Sequence, residues 1–167
     1  LLPSGRAVTV SARSSKHTPC LESRVLIVGL GLIGGSLAAA LRVDGYQGHV
    51  VACDPNPDEI ALGIELGIVD SGGTRLDELL EGVSMVVLAV PVLAMESVMA
   101  QLAAALPRAA RDVVITDVGS TKATIRECAE RVFGSMPPNM VLGHPIAGSE
   151  KSGVAAANPT LYVNHKV

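Results

Sequence analysis

The chain has 167 residues, 49% of them hydrophobic and only 2% aromatic, with no Trp and a net charge of −3. That length suits one domain with a sizeable core and crowds two, and the lack of any basic stripe argues against a nucleic-acid partner. A core without aromatics has to be built from Ala, Val, Leu and Ile, a composition that suits a buried parallel sheet flanked by helices.

Residues 1–23 are Ser-rich and basic, with Arg6, Arg13 and Lys16 set against the single acid Glu22. Transit peptides share that composition, but an extension or linker without a packed core is the plainer reading and the one adopted. The chain opens at Leu1 without a Met, so it is expected to be part of a longer product. The longest apolar segments contain Gly, Arg or Asp too often to span a membrane, and a cytoplasmic protein without a membrane partner is expected. The three cysteines, Cys20, Cys53 and Cys128, are isolated. They form neither a disulfide framework nor a zinc spacing, so no metal site is expected.

Ordered structure begins at Arg24. Val25–Val28 is an apolar run, followed at once by Gly29-Leu30-Gly31-Leu32-Ile33-Gly34 and a helix-forming segment, Ser36–Arg42. A second apolar run, Val50–Cys53, ends on Asp54, twenty positions past Gly34. GxGxxG is weak evidence by itself, whereas the preceding strand, the following helix and an acid at that distance make it specific. Gly29 allows the tight strand-to-helix turn, Gly31 leaves room for a pyrophosphate, and Gly34 lets the helix pack close to the strand. The pyrophosphate would then face helix N–H groups, with Leu32 and Ile33 in the same turn. Asp54 would accept hydrogen bonds from the adenosine ribose and repel a 2′-phosphate, which favours NAD over NADP. FAD fits less well, because there is no second nucleotide fingerprint and few aromatics to pack its ring.

The pattern then alternates. Pro57–Leu66 reads as a helix with Pro57 in its first position, Ile68–Asp70 as a short strand, Gly72-Gly73 as a turn and Leu76–Leu80 as a short helix. Ser84–Val90 is a buried strand ended by Pro91, and Met95–Leu106 a helix stopped by Pro107. Val113–Asp117 is another strand, Ser120–Phe133 a helix, and Met140–Leu142 a short strand leading into Gly143-His144-Pro145. The alternating run Leu161–Val167 looks like an interrupted strand. Such alternation implies right-handed βαβ units in a Rossmann-type, doubly wound, mainly parallel α/β sheet with helices on both faces, spanning residues 24–167 as one domain.

In such a sheet, ligands lie beyond the carboxyl ends of the strands. Those ends carry Gly29–Gly34, Asp54, Ala89-Val90-Pro91, Asp117–Ser120 with Gly119 among them, and Gly143–Pro145. His144 is the candidate acid–base group, because imidazole titrates near neutrality and this one lies in a loop at that edge. His17, His49 and His165 read as structural or solvated. Ser120 fits either a helix N-cap or a site hydroxyl. Lys122 fits either a surface position or a charge at the cofactor edge. Gly148–Gly153 is a polar loop that fits either a connector or a substrate contact.

Three stretches go beyond a generic fold: GLGLIGGSLA at 29–38, DVGSTK at 117–122 and GHPIAGSEKSGV at 143–154. Together they resemble the prephenate/arogenate dehydrogenase family of tyrosine biosynthesis over Arg24–Val167. The first stretch is shared by many dehydrogenases, whereas the last is highly specific. The resemblance implies oxidative decarboxylation of prephenate to 4-hydroxyphenylpyruvate, or of arogenate to tyrosine, with hydride passing from ring C4 to NAD+. It further implies that His144 takes the proton of the ring hydroxyl, that Ser120 orients this pair, and that Ser149 and Glu150 stand near the substrate and the site entrance. The family carries a helical second domain with dimer contacts and a substrate-binding arginine. A homodimer is therefore expected of the full-length protein, and the 167 residues alone are expected to bind NAD without appreciable turnover. The competing expectations are another Rossmann oxidoreductase, of the β-hydroxyacid dehydrogenase or imine reductase type, and a non-catalytic NAD-binding module.

Overall fold

A computed structural model describes residues 23–106, 112–145 and 152–164. Six strands form one sheet: β1 (Arg24–Val28), β2 (His49–Cys53), β3 (Ser71–Gly73), β4 (Val83–Leu88), β5 (Val114–Asp117) and β6 (Met140–Leu142). Every pairing is parallel, in the order β3-β2-β1-β4-β5-β6. The helices are α1 (Leu32–Val43), α2 (Pro57–Glu65), α3 (Val92–Ala105) and α4 (Lys122–Phe133), with single 3₁₀ turns at Leu76–Glu78 and Val154–Ala156.

Strand periodicity divides the core into two. Val25 and Ile27 point to one face, where they pack with Leu30, Ala38, Val69 and Val154. Leu26 and Val28 point to the other, against Met95, Met99, Leu102 and Ile125 of α3 and α4. Both faces of β1 are thus buried, which explains why this strand reads as a continuous apolar run rather than an alternation. The doubly wound α/β class expected from the sequence is the observed one. Between β1 and β4 the strand order reverses, with α1 leaving to one face and α3 to the other, and a crevice opens between the two departing chains.

Several local expectations are corrected. The third strand is Ser71–Gly73, not Ile68–Asp70. Gly72-Gly73 lie within it rather than in a turn, and pair with Ala52 and Cys53. A Cβ on Gly72 would stand 2.6 Å from the Ala52 carbonyl oxygen, so this glycine serves close strand approach. α1 begins at Leu32, four residues before Ser36, because the glycine turn is itself the start of the helix. α3 begins at Val92, and Ala89-Val90 leave the sheet instead of ending β4. α4 begins at Lys122 with Thr121 as its N-cap, so Ser120 is not the cap. Residues 161–164 are turns rather than a strand, with Leu161 N–H donating to the Asn158 carbonyl and Val163 N–H to that of Thr160. Residues 165–167, Pro107 and the extension at 1–22 lie outside the described residues.

Candidate functional site

The glycine turn is shaped by two contacts and one vacancy. Gly29 has φ +94°, and a Cβ there would lie 2.5 Å from the Ala89 carbonyl oxygen. Gly34 sits under the turn, where a Cβ would fall 2.0 Å from the Gly29 carbonyl oxygen. Gly31 differs, because a Cβ there would meet nothing within 4 Å. Protein packing therefore does not require glycine at position 31, and the space above it is a cradle that a side chain would fill. α1 starts there with no side-chain cap and no acidic residue in its first turn, leaving helix N–H groups directed at that space. This is the geometry that favours an anion. By contrast, α2 is capped by Asn56, whose Oδ1 accepts from Asp58 N–H at 3.0 Å, and it carries Asp58 and Glu59 in its first turn.

Asp54, at the end of β2, holds the turn from the side. Its Oδ2 accepts from Leu30 N–H at 2.8 Å and its Oδ1 from Asn56 N–H at 2.9 Å. The carboxylate is half-buried and also borders the cavity of about 540 Å³ that opens over the turn. Gly29, Gly31, Leu32 and Ile33 line this cavity on one side, and Ala89-Val90-Pro91 with Val118-Gly119 line it on the other. Every residue expected to bind cofactor borders it except Gly34, which packs beneath. Ser152 and Gly153 complete the wall. A smaller cavity of about 290 Å³ shares Gly29 and Val90 and reaches Pro55 and Gln101. Cys53 borders it, and burial followed by the nearby charges of Asp54 and Asp77 pushes its thiol up to about 11. It is therefore an inert thiol at neutral pH.

The second half of the site rests on Asp117, the last residue of β5, which is 1% exposed. Its Oδ2 accepts from Gly119 N–H at 2.8 Å and its Oδ1 from Gly143 N–H at 3.3 Å. Lys122 Nζ donates to Asp117 Oδ2 and to the Gly143 carbonyl. Lys122 is therefore a partly buried partner of Asp117 rather than a free surface charge. It neutralises a buried carboxylate and ties down the residue before His144. Asp117 pairs in register with Leu142, so Ser120 and His144 leave the sheet on adjoining strand ends. His144 is half-buried and Ser120 exposed. Gly143 and Pro145, on either side of His144, border an apolar groove of about 560 Å³ together with Val118 and Tyr162.

Ser149 and Glu150, like His17 and His165, lie outside the described residues. His49 opens β2 and bonds Ser71 Oγ at 2.9 Å. Among the described residues no group of three or more His, Cys, Asp or Glu side chains could hold a metal ion, and no helix is long and apolar enough to cross a membrane. In the sequence Asp117 reads only as a strand end, and Lys122 fits more than one role. The signal available was an acid ending a buried strand with a lysine five positions on.

A family model described as the nucleotide-binding domain of prephenate dehydrogenase matches residues 37–167. The prephenate dehydrogenase of Bacillus subtilis (strain 168) is 35% identical over 86% of this chain, and the chain spans only 38% of that relative's length. A prephenate dehydrogenase from Aquifex aeolicus, solved with hydroxyphenyl propionate and NAD+, superposes with a TM-score of 0.75 at 35% identity. That match covers 86% of this chain and 48% of the other. The Synechocystis arogenate dehydrogenase gives a TM-score of 0.74 at 29% identity, covering 85% of this chain and 48% of its own.

Proposed function

We propose, for a chain that belongs to the prephenate dehydrogenase family, that residues 24–167 are the NAD-binding domain of an enzyme that oxidatively decarboxylates prephenate or arogenate. The observation that carries this reading is the vacancy above Gly31, framed by uncapped helix N–H groups and by Asp54, at the same sheet edge as His144. The family relatives favour this substrate class over hydroxyacids or imines.

The residues present fit the dinucleotide. Gly31 and the first turn of α1 would hold its pyrophosphate, with Gly29 and Gly34 keeping that turn tight. Asp54 would take the adenosine ribose, and Ala89-Val90-Pro91 and Gly119 would line its path. When bound, NAD+ supplies the hydride acceptor. The chain's own part is alignment and proton transfer. A neutral imidazole nitrogen of His144 accepts the proton of the ring hydroxyl as that oxygen becomes carbonyl-like, and Ser120 orients the pair. As the ring carboxylate leaves as carbon dioxide, its bonding pair enters the ring and the oxygen takes back the proton held by His144; the product is aromatic, which drives the reaction forward. Lys122 and Asp117 hold Gly143 and thereby the backbone that carries His144. Ser149 and Glu150 are assigned to the substrate entrance by resemblance. A homodimer and a cytoplasmic location belong to the same reading.

NADH formation by the whole protein, followed by absorbance with prephenate, arogenate and short hydroxyacids in turn, tests this assignment. Turnover is expected with one of the first two. His144→Asn should cut kcat by about 10² to 10⁴ with NAD+ affinity little changed. Activity on hydroxyacids alone would overturn the substrate class, and a fully active His144→Asn variant would remove the proposed proton acceptor.

A further inference from the structure

The segment from Ser152 to Tyr162 returns from the catalytic edge across the helices of the first half. Three hydrogen bonds fasten it there. Val154 N–H donates to Glu59 Oε2 at 2.5 Å, Asn158 N–H to Ser36 Oγ at 2.9 Å, and Tyr162 Oη to the Ile33 carbonyl at 2.7 Å. Val154 and Ser36 are fully buried. Burial pushes the Tyr162 phenol up to about 12, so it remains a donor throughout the neutral range.

Two departures from local sequence logic find their reason in this contact. Gly35 lies inside α1, where glycine is disfavoured relative to alanine, and it is not one of the three fingerprint glycines. A Cβ there would stand 3.1 Å from Val154 Cγ2 and 3.2 Å from Ala157 Cβ, so its bareness lets the segment lie against the helix. Glu59 is three residues past the N-cap Asn56, the spacing at which a glutamate reaches back to the cap N–H. Here Asp54 already accepts from Asn56 N–H. Glu59 instead holds a backbone donor 95 positions away.

The two residues just before Val154, Ser152 and Gly153, line the nucleotide cavity beside Gly31 and Ile33. Gly153 has φ +79°, and a Cβ there would lie 3.1 Å from Glu59 Oε1. The wall and its anchor are therefore one piece of backbone. We propose that Glu59, Ser36 and Tyr162 are positioning residues of the dinucleotide site, which rests on the nucleotide reading above: they clamp residues 152–162 onto α1 and α2 and so set the wall presented to NAD+. Affinity for the cofactor then depends on side chains that do not line its cavity.

Equilibrium NAD+ binding to the whole protein, read with the melting temperature and with amide hydrogen exchange at Val154 and Asn158, tests the clamp. Glu59→Ala should raise the Kd about three- to tenfold, the scale of one lost charge-assisted hydrogen bond, and speed exchange at Val154. Glu59→Gln keeps an acceptor oxygen and should restore most of the affinity. Gly35→Ala improves helix propensity while pressing on Val154 and Ala157, and it should also weaken NAD+ binding. A role confined to folding would leave Kd unchanged in both variants whatever the melting temperature did, and that result overturns the proposal. Wild-type protein that itself fails to bind NAD+ overturns the nucleotide reading and the clamp's function together. Wild-type affinity in the presence of unaffected variants overturns the clamp alone.

Discussion

Two aspartates stand at the carboxyl ends of two strands of the same sheet, in different surroundings. Asp54 and Asp117 each accept two backbone N–H groups, and each thereby joins the chain leaving its own strand to a second loop at the sheet edge. Asp117 is 1% exposed and neutralised by Lys122, so its remaining acceptor capacity is spent within the protein. Asp54 is half-buried, borders the cavity and takes part in no salt bridge among the described residues. A buried carboxylate has to be paired, because an isolated charge away from water is very costly. A carboxylate that reads a ligand has to keep lone pairs directed outward. Asp117 acts as a brace, and in the proposed function Asp54 is the reader; their surroundings rather than their residue type make the difference.

Breaking the brace should have the largest effect on the fold. Asp117→Ala leaves the Lys122 ammonium and the Gly119 and Gly143 N–H groups without their acceptor. It should lower unfolding stability by about 3 kcal/mol, near the low end of that range because Lys122 is 30% exposed. Chemical denaturation measures this, and an unchanged midpoint would show that Asp117 braces nothing. On the reader's side, Gly31→Val should act in the reverse sense. It fills open space, so stability should change by no more than about 1 kcal/mol, while NAD+ affinity should fall about a hundredfold through loss of the pyrophosphate approach. Calorimetric titration showing intact NAD+ binding would remove Gly31 from the site. The smallest effect belongs to Asp54→Asn. It removes the charge and one of two backbone acceptors, and should shift the ratio of kcat/KM for NAD+ over NADP+ about tenfold toward NADP+. An unmoved ratio would mean that Asp54 holds the turn without reading the ribose.

The alternation of apolar runs with helical segments made the sheet and its class legible, because a parallel strand buried on both faces leaves a strong signal, as at Val25–Val28 and Val86–Leu88. Glycine was the weaker guide, since one residue type serves several ends. At Gly72 it permits strand approach but reads as a turn, and Gly34-Gly35 sit inside a helix that reads as starting only at Ser36. The Leu161–Val167 run alternates like a strand, but Tyr162 spends its hydroxyl on α1 and the backbone over 161–164 turns on Asn158 and Thr160. At the candidate site, the cofactor loop was readable because its spacing is local. The Gly143 contacts of the Asp117–Lys122 pair and the Glu59–Val154 bond were not, because they join residues 21 to 95 positions apart that only folding brings together.

The clamp also has a meaning in time. Its three bonds join positions 95, 122 and 129 residues apart, among the longest sequence separations bridged by a hydrogen bond among the described residues. During synthesis at about 5–20 residues per second, the glycine turn would leave the ribosome on the order of ten seconds before the segment that walls its cavity. A nascent chain can therefore form β1 and α1 early but cannot complete the dinucleotide pocket until residues 152–162 have emerged. Closing so long a loop carries an entropic cost that local contacts do not share. Cofactor binding would thus mark the end of this domain's folding rather than its beginning.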